Sequence, residues 1–383
     1  MTDTLKTTPL HALHLSLGAK MTAFAGYDMP VQYADGVMAE HLHTREAAGL
    51  FDVSHMGQAF LRTRAAELGD AAAHQAIADA IETLVPGEIR KLKKGGLRYS
   101  VLLSDGGGVL DDLIVTRSPH DDRQGELFLV VNAACKEQDF TLIESALGDA
   151  ARLEILTDRA LLALQGPEAA RVIDGLFPGA AEQGFMTMRN AVWNGHDVFV
   201  SRCGYTGEDG FEISLPADAA TAFAETLLQD DAVKPIGLGA RDSLRLEAGL
   251  CLYGSDLDET TSPVEGGIAF AIGKRRRQEG GFPGADRILA ELADGPSRKL
   301  VGLKPEGRAP ARGGTAVLNA AGDEIGMVTS GGFGPSVGGP IAMGYVAAAH
   351  AEIGAEVQLL VRGKSLPARV VETPFVPQRY YRG

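Results

Sequence analysis

Short apolar runs punctuated by glycine and proline alternate with amphipathic stretches along the chain, and the sharpest contrast falls around one turn. The run Tyr99-Ser-Val-Leu-Leu precedes GGGVLDD (Gly106 to Asp112), and Leu113-Ile-Val follows directly, which predicts a hairpin with carboxylates at the start of its return strand. Strand periodicity sends Asp111 and Asp112 to opposite faces, so one can be solvated while the other enters the interior or a cleft. A carboxylate turned inward needs a partner or a purpose. The three glycines either allow a turn with φ > 0 or make room for a flat ligand. Leu127-Phe-Leu-Val-Val reads as a buried partner strand ending at Asn132. The Asn132 amide can read a heterocycle or cap the helix predicted over Cys135–Leu147.

On the amino-terminal side, an extended FAGYDMPVQY segment leads to a helical pattern from Val37 through Ala48. His41 and His43, two apart on that helix, lie on different faces and make a poor metal pair. His55, in the turn of FDVSHMG, can be a ligand or a capping residue. Ala65 to Leu84 is Ala-rich and helical in pattern.

From Arg159 the plan repeats: strand ALLALQG, helix Pro167–Leu176, strands within AVWNGHDVFVSR, and a second glycine turn with acids, CGYTGEDGFEIS. Glu212 lies between Phe211 and Ile213, so if those two pack inward its side chain faces the other way. The segment Gly237 to Leu250 enters a helix through glycines, placing Arg241 and Arg245 one turn apart. A cation in a first turn opposes the helix dipole, so Arg241 is recruited for an anion rather than for the helix. The GLG element lacks the third glycine of a dinucleotide fingerprint. Lys274-Arg-Arg-Arg277 reads as a solvated loop, with docking of an acidic partner as its functional alternative.

Beyond Pro296 short strands separated by glycine and proline turns (Lys299–Leu303, Thr315–Leu318, Ile325–Thr329, Ile341–Val346, Glu356–Val361, Ser365–Val371) predict a small antiparallel barrel. The division is therefore expected at residues 1–295 and 296–383. GGFGPSVGGP (Gly331 to Pro340) reads as a glycine-rich barrel loop, and the PFVPQRYYRG tail as a segment that folds back to lay its tyrosines on a surface.

Size and composition narrow the function. A chain of 383 residues is too long for one core, and 45% hydrophobic with 22% charged residues is globular. Fifty acidic against 36 basic residues give a net charge of -14, which argues against nucleic acid and anionic membranes as partners. Three scattered cysteines, Cys135, Cys203 and Cys251, suit neither a disulfide framework nor a metal cluster and point to reduced thiols in the cytoplasm. No run approaches the ~18 apolar residues that span a bilayer, so no membrane association is expected.

Taken together, LGAKMTAFAGYDMPVQY, GLFDVSHMG, GGGVLDDLIV, LVVNAA, LALQGP, SRCGYTGEDGFEIS, GLGARDSLRLEAGLCLYG, TSGGFGPS and the terminal PFVP..YY resemble, in order and over nearly the whole chain, the T-protein family of the glycine cleavage system. The resemblance implies an α+β, three-lobed fold with two interleaved mixed α/β lobes and a C-terminal antiparallel β-barrel. It further implies a tetrahydrofolate-dependent aminomethyltransferase whose partner is a lipoylated H protein, with tetrahydrofolate as co-substrate and no metal. Position by position, the family's essential acid matches Asp112. Its folate or substrate contacts match Glu212, Arg241 and Tyr380, and further contacts match Asn132 and Tyr205. Where the family often has Trp, this chain has Phe270. The alternatives are a folate-dependent demethylase related to the sarcosine and dimethylglycine dehydrogenase module, and a noncatalytic folate-binding protein.

Overall fold

The structure, a computed structural model, describes residues 4–383. Helix α1 (His11–Ser16) precedes the hairpin β1 (Lys20–Phe24) and β2 (Tyr27–Gln32). There follow α2 (Gly36–Glu46), β3 (Ala48–Asp52), β4 (Gly57–Thr63), α3 (Ala73–Ile81), β5 (Leu97–Leu103), β6 (Val109–Arg117), β7 (Glu126–Val131), α4 (Lys136–Leu147) and β8 (Ala151–Ile155). A second run comprises β9 (Arg159–Gln165), α5 (Ala169–Leu176), β10 (Thr187–Trp193), β11 (His196–Arg202), β12 (Gly210–Pro216), α6 (Ala220–Leu227), β13 (Val233–Pro235) and α7 (Leu238–Glu247). The last part holds α8 (Arg276–Glu279), α9 (Ala285–Asp294) and strands β14 (Arg298–Pro305), β15 (Ala316–Leu318), β16 (Glu324–Gly334), β17 (Gly339–Ala347), β18 (Glu356–Val361) and β19 (Lys364–Val371). The chain divides into two units: residues up to Ser100 with Asp112–Arg241 and Arg379–Gly383, and Val101–Asp111 with Asp242–Gln378.

The first unit is built on two sheets, a six-stranded one in the order β10-β11-β12-β9-β3-β13 and a five-stranded one in the order β5-β6-β7-β4-β8. One face of the six-stranded sheet carries Leu162, Leu164, Val198, Val200, Phe211 and Ile213 into a core with Ile173 of α5 and Phe223 of α6. Its other face meets the five-stranded sheet through an aromatic group in which Phe128 and Phe199 lie 5.4 Å apart and Phe60 and Phe199 5.8 Å. Alternate positions thus feed one core face, and the intervening ones, Phe199 and Glu212 among them, fall on the opposite face. Helix α3 is shorter than the Ala65 to Leu84 pattern because Gly69 takes φ +90° and its N–H is claimed by the Gln124 carbonyl, breaking the run.

In the second unit β14 to β19 close a barrel in the order β14-β17-β16-β15-β18-β19, around Leu303, Val317, Val328, Ala342, Leu359 and Val370. Every strand expected from the sequence is present. The Gly331 to Pro340 loop is shorter than expected: β16 runs on to Gly334 and β17 begins at Gly339, opposite it, leaving a four-residue turn, Pro335–Gly338, because glycines with extended backbone continue a ladder as well as end one. The glycines of the Gly106 turn serve the protein's own backbone rather than a flat ligand, since a Cβ on Gly108 would lie 1.7 Å from the Glu259 carbonyl oxygen.

The basic run is corrected at Arg276. Arg276 is buried and donates to the Gly281 carbonyl at 3.0 Å, Arg277 donates to the Ala269 carbonyl at 2.6 Å, and Arg275 pairs with Glu279. The run is therefore mixed: Lys274 and Arg277 are exposed, as the solvated reading expects, whereas Arg276 is buried and bonded to its own local backbone.

Candidate functional site

Strand β6 pairs with β7 in a register that sets Leu113 opposite Val131, so Asp112 stands beside Asn132 just past the end of β7. The Asn132 Nδ2 donates to Asp112 Oδ1 at 2.8 Å and to the Asp112 carbonyl at 3.2 Å. The amide therefore orients the carboxylate instead of capping α4, whose N-cap is Cys135 with no side-chain cap bond. Asp111 is fully buried and Asp112 half-exposed, so the two acids take the opposite environments that strand geometry demands.

A second group forms on β11 and β12. Glu212 sits opposite Ser201 of β11 and Ala163 of β9, while Phe211 and Ile213 are completely buried on the core face. Its Oε2 accepts from the Cys203 Sγ at 3.6 Å. Burial raises the Glu212 carboxyl above its ordinary value, and Arg241 acts against that. The Arg241 guanidinium lies over the Tyr205 ring, 5.0 Å from its centroid, and its Nη1 is sealed from solvent without a protein acceptor. A buried donor in that condition is costly unless a ligand completes it. Arg245, one turn on, is spent elsewhere: it pairs with Asp256 at 2.7 Å in the second unit.

The tail brings in Tyr380. Its ring stacks on Phe185 at 4.2 Å, Arg379 donates to Glu208 at 2.6 Å and to the Arg45 carbonyl at 2.9 Å, and the Arg202 guanidinium covers Tyr381 at 4.2 Å. Burial, opposed by Arg45 and aided by Cys203 and Glu208, pushes the Tyr380 hydroxyl up to about 12. Its electrostatic partners place Tyr380 with the Glu212 group.

His55 lies near Arg241 of the Glu212 group. It is buried, edge-on to Phe24 at 5.7 Å, and it senses both Arg241 and Lys136. Lys136 Nζ in turn donates to the Tyr27 hydroxyl at 2.7 Å and to the His55 carbonyl at 2.9 Å. Burial draws the His55 imidazole down to about 4, with Arg241 and Lys136 adding to the fall and Asp52 resisting it. Folded protein therefore binds fewer protons here than unfolded protein between pH 6.5 and about 4. Stability contributed by neutral His55 is present above pH 6.5 and is lost as the pH falls through that window, by up to about 3 kcal/mol. In denaturant titrations across this range, His55→Gln should flatten that part of the pH dependence; an unchanged slope would show that other groups cause it.

Sequence reasoning missed Lys136 and Phe185. Lys136 had a signal, the same one as Arg241, being a cation in the first turn of a helix. Phe185 had none, since it lies in the irregular segment before β10. Two clefts, of 610 Å³ against the barrel and 590 Å³ among Phe60, Arg62, Arg159 and Phe199, are not lined by any of the predicted site residues. The site is thus defined by its chemistry and not by cleft volume.

Comparison with known proteins gives the same direction. The family models described as GCVT N-terminal domain and glycine cleavage T-protein C-terminal barrel domain match residues 10–276 and 298–377. The probable mitochondrial aminomethyltransferase of Schizosaccharomyces pombe is 45% identical over 385 residues, covering 99% of this chain and 95% of that protein. The mitochondrial aminomethyltransferase of Homo sapiens is 44% identical over 388 residues, covering 99% and 92%. A crystal structure of glycine cleavage system aminomethyltransferase T from Bartonella henselae superposes with a TM-score of 0.90 at 44% identity, covering 99% of this chain and all of that one. The mitochondrial names of these relatives overturn the cytoplasmic expectation; free cysteines and the lack of a long apolar segment do not specify a compartment. With both family models matched in order and relatives similar along nearly its whole length, the chain belongs to the glycine cleavage T-protein family.

Proposed function

We propose that this chain takes an aminomethyl group, carried as a thioether on the lipoyl arm of an H protein, and transfers its methylene carbon to N5 and N10 of tetrahydrofolate, releasing ammonia and the dihydrolipoyl carrier. The observation that carries the reading is Asp112, half-exposed and held by Asn132 at 2.8 Å on the strand that follows the glycine turn. Bound tetrahydrofolate supplies the two nucleophilic nitrogens.

Asp112 accepts an N–H hydrogen bond from the amine that attacks, raising its nucleophilicity, and stabilises positive charge developing at the methylene carbon. Asn132 fixes the carboxylate's direction. Glu212, on the face turned away from the core, accepts from pterin N–H groups. Arg241 and Tyr205, stacked on each other, orient the ligand, and the unspent Arg241 Nη1 donor suits a carboxylate or a ring acceptor. Tyr380 closes the group from the tail. In a protein of net charge -14, Arg241 and Lys136 supply local positive potential for an anionic folate.

Fit to a heterocycle rests on the buried Arg241 Nη1, which lacks a protein acceptor, and on the nearby Glu212 carboxylate on the face turned away from the core, whose Oε2 accepts from the Cys203 thiol. Glu212→Gln exchanges a charged acceptor for an amide and should weaken tetrahydrofolate binding by about 10–100-fold, the ratio expected for one hydrogen bond to a charged group. Calorimetric titration of wild type and variant checks it, and equal affinities would remove Glu212 from pterin recognition.

A further inference from the structure

The motif CGYTGEDGFE does more than supply Glu212. On β9, Gln165 is fully buried and its Nε2 donates to the Cys203 carbonyl at 3.0 Å, while its Oε1 accepts from Thr206 at 2.9 Å. Two glycines of the motif make room for that amide: a Cβ on Gly204 would lie 1.8 Å from Gln165 Oε1, and one on Gly210 would lie 2.6 Å from Gln165 Nε2. The backbone at Cys203 is therefore clamped by a neighbouring strand. Its side chain is buried, and the thiol has two acceptors in range, Glu212 Oε2 at 3.6 Å and the Ser201 carbonyl at 3.8 Å. The carboxylate is both nearer and charged, so it is the better acceptor. Burial, reinforced by Glu212, pushes the Cys203 thiol well above its ordinary value, so the sulfur keeps its proton and acts as a donor.

We infer that Cys203 is a positioning residue for this reaction: its S–H, held in place by Gln165, aims the Glu212 carboxylate at the pterin ring. This rests on the reading of Glu212 as a pterin acceptor. A glutamate side chain has three rotatable bonds, and the Cys203 thiol is the hydrogen-bond donor to its carboxylate found among the described residues. Fixing it beforehand removes that ordering cost from ligand binding.

The test is a double-mutant cycle in the full-length protein, reading tetrahydrofolate affinity by titration together with KM and kcat in the aminomethyl transfer assay. Cys203→Ala should raise the tetrahydrofolate Kd and KM about tenfold while kcat changes by less than about twofold, because a weak donor is lost from binding and not from the reacting atoms. Cys203→Ser, which restores a donor, should recover most of the affinity. Cys203→Val provides a second donor-free side chain of similar bulk should the alanine variant fold poorly. In a Glu212→Gln background the Cys203→Ala penalty should vanish. Equal penalties in both backgrounds, or a serine variant as weak as the alanine one, would overturn the positioning role and leave Glu212 as a pterin contact. If Glu212→Gln alone leaves affinity unchanged, the underlying reading of Glu212 fails and this inference falls with it.

Discussion

Asp112→Asn is expected to reduce kcat for methylenetetrahydrofolate formation by about 10²–10⁴-fold, the range typical of a positioned acid or base. Asn is nearly isosteric with Asp, so β6 should keep its register with β7 and the protein should remain folded. The charge disappears, while the amide oxygen of the new side chain can still accept from Asn132 Nδ2, which holds Asp112 Oδ1 at 2.8 Å in the wild type. Folate affinity should change much less than turnover, since pterin binding is assigned, in the proposed function, to Glu212 and Arg241. Stopped-flow and steady-state assays separate the two. A variant with wild-type kcat would keep the transferase but move its chemistry off this carboxylate. Asp111→Asn is the matched control: that side chain is fully buried on the other face, so a loss there should appear in stability first.

The largest effect on stability should come from Asp256→Ala in the second unit. Asp256 and Arg245 are both buried and 2.7 Å apart, and the carboxylate also accepts from Ser330 Oγ at 2.8 Å, Thr329 Oγ1 at 2.5 Å and the Leu252 N–H at 2.9 Å. Removing it leaves the buried Arg245 with only the exposed Asp242 carboxylate, Ser330 Oγ and the Leu250 carbonyl as acceptors, at a cost of about 3 kcal/mol. The melting temperature should fall by about 5–15 °C. Replacing both partners by apolar residues, as in Arg245→Met with Asp256→Leu, should recover a large part of that loss, because no buried charge is left uncompensated. A single variant that melts with wild type would mean that water reaches the pair.

How far the sequence exposes this arrangement depends on whether a feature is local. Period-two alternation in DGFEIS puts Phe211 and Ile213 in the core and Glu212 on the opposite face, and the structure has them so. Glycine and proline spacing shows the barrel strands for the same reason: turns and pleats are written in nearest neighbours. Contacts distant in sequence are not. Nothing near Asn132 announces that its amide holds Asp112 across twenty residues. Likewise, nothing near Gln165 announces that two glycines some forty residues on are shaped around it. Tyr380 on Phe185 is of the same kind. Composition misled where it was asked for more than it encodes: the basic run looked solvated throughout, yet Arg276 within it is buried and donates to the Gly281 carbonyl. Compartment is likewise not a property of packing or of cysteine count.

The most direct measurement is ammonia release coupled to methylenetetrahydrofolate formation, using the purified wild-type chain with aminomethylated H protein and tetrahydrofolate. Equimolar ammonia and methylenetetrahydrofolate, both dependent on each substrate, are the expected result. Tight folate binding with no turnover above the uncatalysed rate would contradict the transferase function.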